Sequence, residues 1–134
     1  MTISVLLIDN NLLFRQTLRM YLDLYPALFD VTDVDNGLDG LRLIDQLHPD
    51  IVITDRDLPG PGGLEMIRNL FDRSSSTKGI IISAHDEEGF IREAFQAGAY
   101  GYIDKREIAL HMVAAICTVA AGNTYISSAY ELPG

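Results

Sequence analysis

The stretch Asp50-Ile51-Val52-Ile53-Thr54-Asp55-Arg56-Asp57-Leu58-Pro59-Gly60 decides the fold. Its first half is a short apolar run without the alternation of a strand that has one wet face. A strand of a parallel sheet, buried on both sides, reads this way. Its second half sets two acids ahead of Pro-Gly, so the strand ends on carboxylates and turns. Four more runs share its character: Val5-Leu6-Leu7-Ile8, Asp30-Val31-Thr32-Asp33-Val34, Ile80-Ile81-Ile82-Ser83 and Tyr100-Gly101-Tyr102-Ile103. Between them, apolar residues recur at helical spacing, each set predicting one inward face. The sets are Phe14, Leu18, Tyr21, Leu22 and Tyr25; Leu38, Leu41, Ile44 and Leu47; Leu64, Ile67 and Phe71; Phe90, Ile91, Ala94 and Phe95; and Ile108, Met112, Ile116 and Val119. Asn36-Gly37 opens the second helix and His48-Pro49 closes it, while Gly98 stands where a left-handed cap ends the fourth. Asp86-Glu87-Glu88 places negative charge at the start of that fourth helix. Strand and helix alternate five times, which predicts an α/β, doubly wound (βα)5 sandwich with right-handed crossovers.

The composition agrees. The chain has 134 residues, 48% hydrophobic and 22% charged, which is one folded domain and excludes disorder. A chain of this length buries enough surface to need neither disulfides nor a structural metal. Ten basic against nineteen acidic residues give a net charge of −9. That balance argues against a nucleic-acid surface, because phosphate binding is driven by Lys and Arg displacing counterions. The single cysteine, Cys117, has no internal partner and reads as a small buried hydrophobe. The first residues lack the basic and apolar regions of a secretion signal, so the cytoplasm is the default location. Ile108 to Tyr130 carries no Asp, Glu, Lys or Arg. Gly122-Asn123-Thr124 breaks that run short of the about 20 apolar residues a membrane span needs, so it predicts a buried or interface helix.

Ligands of open α/β sheets bind beyond the carboxyl ends of the strands, where strand order reverses. Strand one ends in Asp9-Asn10, strand three in Asp55 and Asp57, strand four in Ser83-Ala84 and strand five in Asp104-Lys105. With the order 2-1-3-4-5, the reversal brings Asp9 and Asp55 together, with Ser83 and Lys105 alongside. Converging carboxylates repel unless a cation joins them. The hard oxygen donors, with no Cys or His cluster, point to Mg²⁺.

Four stretches in this order resemble a CheY-like receiver domain of a two-component response regulator. They are Val5 to Asn10, Asp50 to Gly60 with Gly63-Leu64-Glu65, Ile80 to His85, and Ala97 to Lys105. The resemblance implies a flavodoxin-like fold over residues 1–121. Residues 122–134 resemble the segment that leads, in NarL/FixJ (LuxR-type) regulators, to a helix-turn-helix module, which these residues do not contain. It also implies roles. Asp55 is the phosphoacceptor, taking a phosphoryl group from the phosphohistidine of a sensor histidine kinase or phosphotransfer protein. Asp9, Asn10, Asp55 and Asp57 hold Mg²⁺, the last through its carbonyl. Lys105 pairs with phosphoryl oxygens, and the Ser83 hydroxyl bonds one of them. Tyr102 reads the event by turning inward as Ser83 moves, repositioning the face of helix four, strand five and helix five. Self-phosphorylation and autodephosphorylation are the most catalysis it implies, and homodimerisation through helix four or five is a further expectation.

Other readings stand beside these. A lone Asp after a strand more often caps a helix, a lone Lys is more often solvated, and Tyr102 also reads as core. Receivers usually carry two adjacent acids after strand one, and here the second is Asn10. An amide brings no charge, so metal affinity falls, and Asp57 either restores the missing charge or points to solvent. A pseudo-receiver, an interaction module that works without phosphate, is the main rival. Asp55-Arg56-Asp57 also resembles the first motif of haloacid-dehalogenase phosphatases, whose second Asp serves as an acid.

Overall fold

The computed structural model describes residues 2–73, 75–85 and 88–127. Its elements are β1 (Ile3–Ile8), α1 (Leu12–Asp23), β2 (Phe29–Val34), α2 (Gly37–Leu47), β3 (Ile51–Asp55), α3 (Gly63–Asp72), β4 (Lys78–Ser83), α4 (Glu88–Gln96), β5 (Gly101–Asp104), α5 (Ile108–Ala120) and β6 (Tyr125–Ile126), with a single 3-10 turn over Lys105–Glu107. All strands run parallel, in the order β2-β1-β3-β4-β5-β6. The expected 2-1-3-4-5 order is present, extended by a two-residue strand too short to register as a periodic run. Strand order reverses between β1 and β3, where Leu7 pairs with Ile53 and Ile8 with Thr54.

Successive strand residues point to opposite faces, and in the central strands both faces are buried. Val5, Leu7, Ile51, Ile53, Ile80 and Ile82 pack under α1 and α5 through Leu18, Leu22, Met112 and Ile116. Leu6, Ile8, Val52, Ile81 and Tyr102 pack under α2, α3 and α4 through Ile44, Met66, Ile67 and Ile91. Burying one such aliphatic side chain contributes about 1.5–3 kcal/mol, and this double layer fixes the strand ends that carry the polar residues.

The caps follow the sequence. Asn11 and Asn36 cap α1 and α2, accepting from Phe14 N and Asp39 N, and His48 and Gly98 take left-handed conformations at φ 46° and 112°. Glu88 begins α4, while Asp86 and Glu87 lie outside the described residues. Four expectations are corrected. Tyr21 and Tyr25 of the first helical set are exposed, as are Leu38, Leu47 and Phe71 of the second and third. Cys117 is exposed, because α5 is apolar nearly all round and spacing there does not separate inner from outer positions. No helix among the described residues is long and apolar enough to cross a membrane.

Candidate functional site

The ends of β1, β3, β4 and β5 at the carboxyl edge leave the sheet in the same way. Asp9 Oδ1 accepts from Asn11 N at 2.8 Å, Asp55 Oδ1 from Asp57 N at 3.0 Å, Ser83 Oγ from His85 N at 3.0 Å and Asp104 Oδ1 from Arg106 N at 2.9 Å. A short polar side chain that bonds the N–H two residues on turns its own backbone. Asp9 and Asp55 thus turn their own loops and cap no helix, since Asn11 caps α1 and Gly62 precedes α3. The second oxygens of Asp9 and Asp55 turn inward, to Lys105.

Lys105 Nζ lies 2.9 Å from Asp55 Oδ2 and 3.0 Å from Asp9 Oδ2, and 4.3 Å from the centre of the Phe14 ring. Both acids are buried, Asp9 at 1% exposure and Asp55 at 7%. Burial pushes the Lys105 ammonium down, but the hydrogen bond and charge of Asp55, and the negative charge of Asp9 beside it, outweigh this and raise its pKa above the ordinary lysine value. The Asp9 contact is electrostatic: its Oδ2 is buried without a well-directed hydrogen bond. Gly63 makes the fit of the next loop possible, because a Cβ there would lie 2.6 Å from the Asp55 carbonyl oxygen.

Three expected residues behave differently from this core. Asn10 is exposed. Asp57 is half-exposed, with Oδ1 3.3 Å from Arg56 and Oδ2 4.0 Å from His85 Nε2. Its carboxylate turns away from Asp9 and Asp55, and among the described residues no three Asp, Glu, His or Cys side chains form a metal-holding group. Tyr102 is fully buried, and its hydroxyl donates to the His85 carbonyl. The inward position expected after a switch is the one the ring occupies. Ser83 is also fully buried, one residue from the loop that Tyr102 holds.

The donor set fits Mg²⁺ at the level of two carboxylates. Asp9 and Asp55 bring hard oxygens to one point, one of them without a directed hydrogen bond, and Mg²⁺ commonly needs only one or two carboxylates because it keeps several waters.

Sequence reasoning missed the arginines. Arg15 donates to the Asp9 carbonyl at 2.7 Å and to Asp33 Oδ2 at 2.7 Å, and Arg19 joins Asp33 at 2.5 Å. Burial pushes the Asp33 carboxyl up, but the hydrogen bonds and charges of Arg15 and Arg19 overcome this and hold it below the ordinary range. Arg56 stacks 4.1 Å from the Phe90 ring and pairs with Glu93 at 3.0 Å, so the residue after Asp55 reaches α4. Its place beside Asp55 was a signal that it belonged to the site. No local signal announced Arg15, whose partners come from β1 and β2.

Residues 5–117 match the response regulator receiver domain family. The chain is 38% identical over 125 residues to the response regulator GacA of Pseudomonas aeruginosa, covering 93% of this chain and 58% of that protein. It is 31% identical over 124 residues to the transcriptional regulatory protein DegU of Brevibacillus brevis, covering 92% of this chain and 52% of that one. The chain thus spans little more than half the length of these curated relatives. The crystal structure of a LuxR-family two-component response regulator from Aurantimonas sp. SI85-9A1 superposes with a TM-score of 0.87 at 30% identity, covering 95% of this chain and 91% of that one. A parallel sheet whose reversal point gathers Asp9, Asp55 and Lys105, matched along nearly its whole length by these proteins, belongs to the family of response regulator receiver domains.

Proposed function

We propose that this receiver accepts a phosphoryl group on Asp55 from a phosphohistidine, carried by a sensor histidine kinase or a phosphotransfer protein. The observation that carries the reading is the Lys105 ammonium bridging Asp9 and Asp55 at the topological reversal. A carboxylate oxygen of Asp55 attacks phosphorus, the new O–P bond forms as the N–P bond breaks, and the imidazole leaves with that electron pair. Lys105 meets the charge on the incoming phosphoryl oxygens, and Phe14 shields one side of it from water. Asp9 and Asp55, with the Asp57 carbonyl, would hold Mg²⁺, which would supply neutralisation of charge on the transferring group. Ser83 supplies a hydroxyl to the phosphoryl group. Tyr102 ties strand five to the loop after β4 at His85, so a shift of that loop reaches the α4 face. The chain is a stoichiometric acceptor whose chemistry extends at most to self-phosphorylation and autodephosphorylation.

One observation favours a second reading. Lys105 already neutralises both inward carboxylates, Asn10 adds no charge, and Asp57 turns away, which suits a pseudo-receiver that works by contact alone. The haloacid-dehalogenase reading gains nothing, since its acid would be Asp57. Acetyl phosphate with Mg²⁺, followed by intact mass, decides between the two. A single phosphoryl adduct that Asp55→Asn abolishes is expected. No adduct at any Mg²⁺ concentration refutes phosphorylation and leaves the interaction module.

A further inference from the structure

Arg56 follows Asp55 directly, yet the fold gives its side chain to another element. Its backbone is pinned on both sides, the N–H donating to the Ile82 carbonyl at 2.9 Å and the carbonyl accepting from Gly63 N at 3.3 Å. Only the side chain is left to respond to its neighbour. The Arg56 side chain is 16% exposed, with its guanidinium 4.1 Å from the centre of the Phe90 ring and one nitrogen donating to Glu93 Oε1 at 3.0 Å. The other terminal nitrogen is 3.3 Å from Asp57 Oδ1, in the loop whose Asp57 N–H donates to Asp55 Oδ1. The Nε–H is buried with no acceptor. A buried donor left unpaired costs free energy, so it favours an acceptor that reaches it.

Helix α4 is lightly held. Of its 9 residues only Ile91 and Ala94 are buried, and elements with few buried apolar contacts open first. Phe90 and Glu93 stand three residues apart and share a face, so a single guanidinium holds both. We propose that Arg56 positions α4 according to the charge at Asp55, an inference that rests on phosphorylation of Asp55. A phosphoryl group brings about two negative charges and three acceptor oxygens, where the carboxylate brings one charge. Guanidinium takes such oxygens bidentately, and the Nε–H has no bond to give up. The competing carboxylates of Glu93 and Asp57 are 46% and 51% exposed, so water screens their hold. Arg56 therefore turns toward the loaded Asp55, Glu93 is released to solvent, and Phe90 loses the cation over its ring. The first turns of α4 then loosen. This arm is distinct from that of Tyr102, which holds the His85 carbonyl in the loop before α4, whereas Arg56 holds the helix itself.

The test is amide exchange of α4, read by mass spectrometry on the 134-residue chain with and without beryllofluoride and Mg²⁺, while fluorine NMR reports bound fluoride. In the unaltered chain, loading is expected to speed exchange across Glu88–Gln96 by about 10-fold. Arg56→Met keeps an aliphatic stem beside Phe90 and removes the charge and the donors. Its α4 exchanges fast before loading, and loading adds less than about 2-fold. Glu93→Gln, at an exposed position that leaves the interior intact, lowers the response in the same direction. Glu88→Gln, whose partner is Arg92 of the same helix, keeps the full response. An Arg56→Met or Glu93→Gln chain that binds fluoride and still responds in full overturns the inference, since a purely structural contact would alter only the unloaded state. An unaltered chain that binds fluoride with α4 exchange unchanged overturns it as well. Both outcomes leave phosphorylation of Asp55 standing. A chain that binds no fluoride refutes the proposed function and this inference with it.

Discussion

Lys105→Met isolates the electrostatics of the site. In the unaltered chain the ammonium sits 2.9 Å from Asp55 Oδ2 and 3.0 Å from Asp9 Oδ2, so these oxygens lie no more than about 6 Å apart. Two unit negative charges at about 6 Å repel by about 3 kcal/mol at an effective dielectric of about 20. The Lys105 side chain is 21% exposed, so water screens part of this, and a loss of about 2 kcal/mol of folding stability at pH 7 is expected. The sign with pH follows from the groups involved. The pKa of Lys105 is raised on folding, so its contribution is whole below the ordinary lysine value and is lost only as pH rises through the raised one. The gap between variant and parent is therefore flat from neutral to mildly alkaline pH. Urea unfolding across pH measures the gap, and the Asp9→Asn/Lys105→Met pair recovers more than half of it. A gap under about 0.5 kcal/mol, or one that persists in the double variant, refutes the charge argument and makes Lys105 a surface residue.

Four smaller perturbations follow. Asp33→Asn costs about 1 kcal/mol at neutral pH by loosening Arg15 and Arg19. Because folding lowers the Asp33 pKa, that difference is full above the unfolded-state value near 3.8 and disappears in urea curves as pH falls through the folded value. Gly63→Ala drives a Cβ to within 2.6 Å of the Asp55 carbonyl oxygen, and thermal unfolding is expected to report about 1–3 kcal/mol of strain. Tyr102→Phe keeps the buried ring but frees the His85 carbonyl, for about 1 kcal/mol by denaturant titration and faster amide exchange after β4. Asp57→Asn leaves Mg²⁺ affinity unchanged in calorimetry, since the carboxylate faces Arg56 and His85; a loss of about 10-fold returns Asp57 to the metal.

The strands and their polar ends were legible because burial on both faces erases alternation and leaves unmistakable apolar runs, each closed by an acid, a serine or a lysine. Asp9, Asp55 and Lys105 could thus be placed together before any coordinates. What stayed hidden depended on direction. Helix α1 is apolar on two flanks, Leu18 and Leu22 inward and Leu13, Met20 and Leu24 outward, so spacing drew Tyr21 and Tyr25 into the wrong face. Cys117 was misplaced for the same reason. Residue identity gives Asp57 a carboxylate but not its rotamer, which is chosen by Arg56 and His85. Strand β6 owes its place to register with β5, where Gly101 meets Tyr125, and two residues carry no period of their own.

Asn10 changes what the site must do before it can hold a cation. With a second acid beside Asp9, one carboxylate would be left over once Lys105 had paired with the others. Here both inward carboxylates are already shared with the same ammonium, and Asn10 is exposed and uncharged. On the proposed reading, a divalent cation would compete with Lys105 for Asp9 Oδ2 and Asp55 Oδ2. On the same reading, an incoming phosphoryl group would alter that balance by offering its own oxygens to Lys105 and so releasing the carboxylates. Anion and cation then favour each other, and linkage makes the effect reciprocal. Asn10→Asp supplies the missing charge, so it raises Mg²⁺ affinity of the free domain by about 10–100-fold. Its effect in the presence of beryllofluoride is smaller, because there Lys105 has already moved to the anion. Calorimetric Mg²⁺ titrations of both chains, with and without beryllofluoride, read the coupling directly. Equal gains in the two states refute competition between Lys105 and the metal, and the low charge at Asn10 is then a simple loss of affinity with no bearing on when the cation binds.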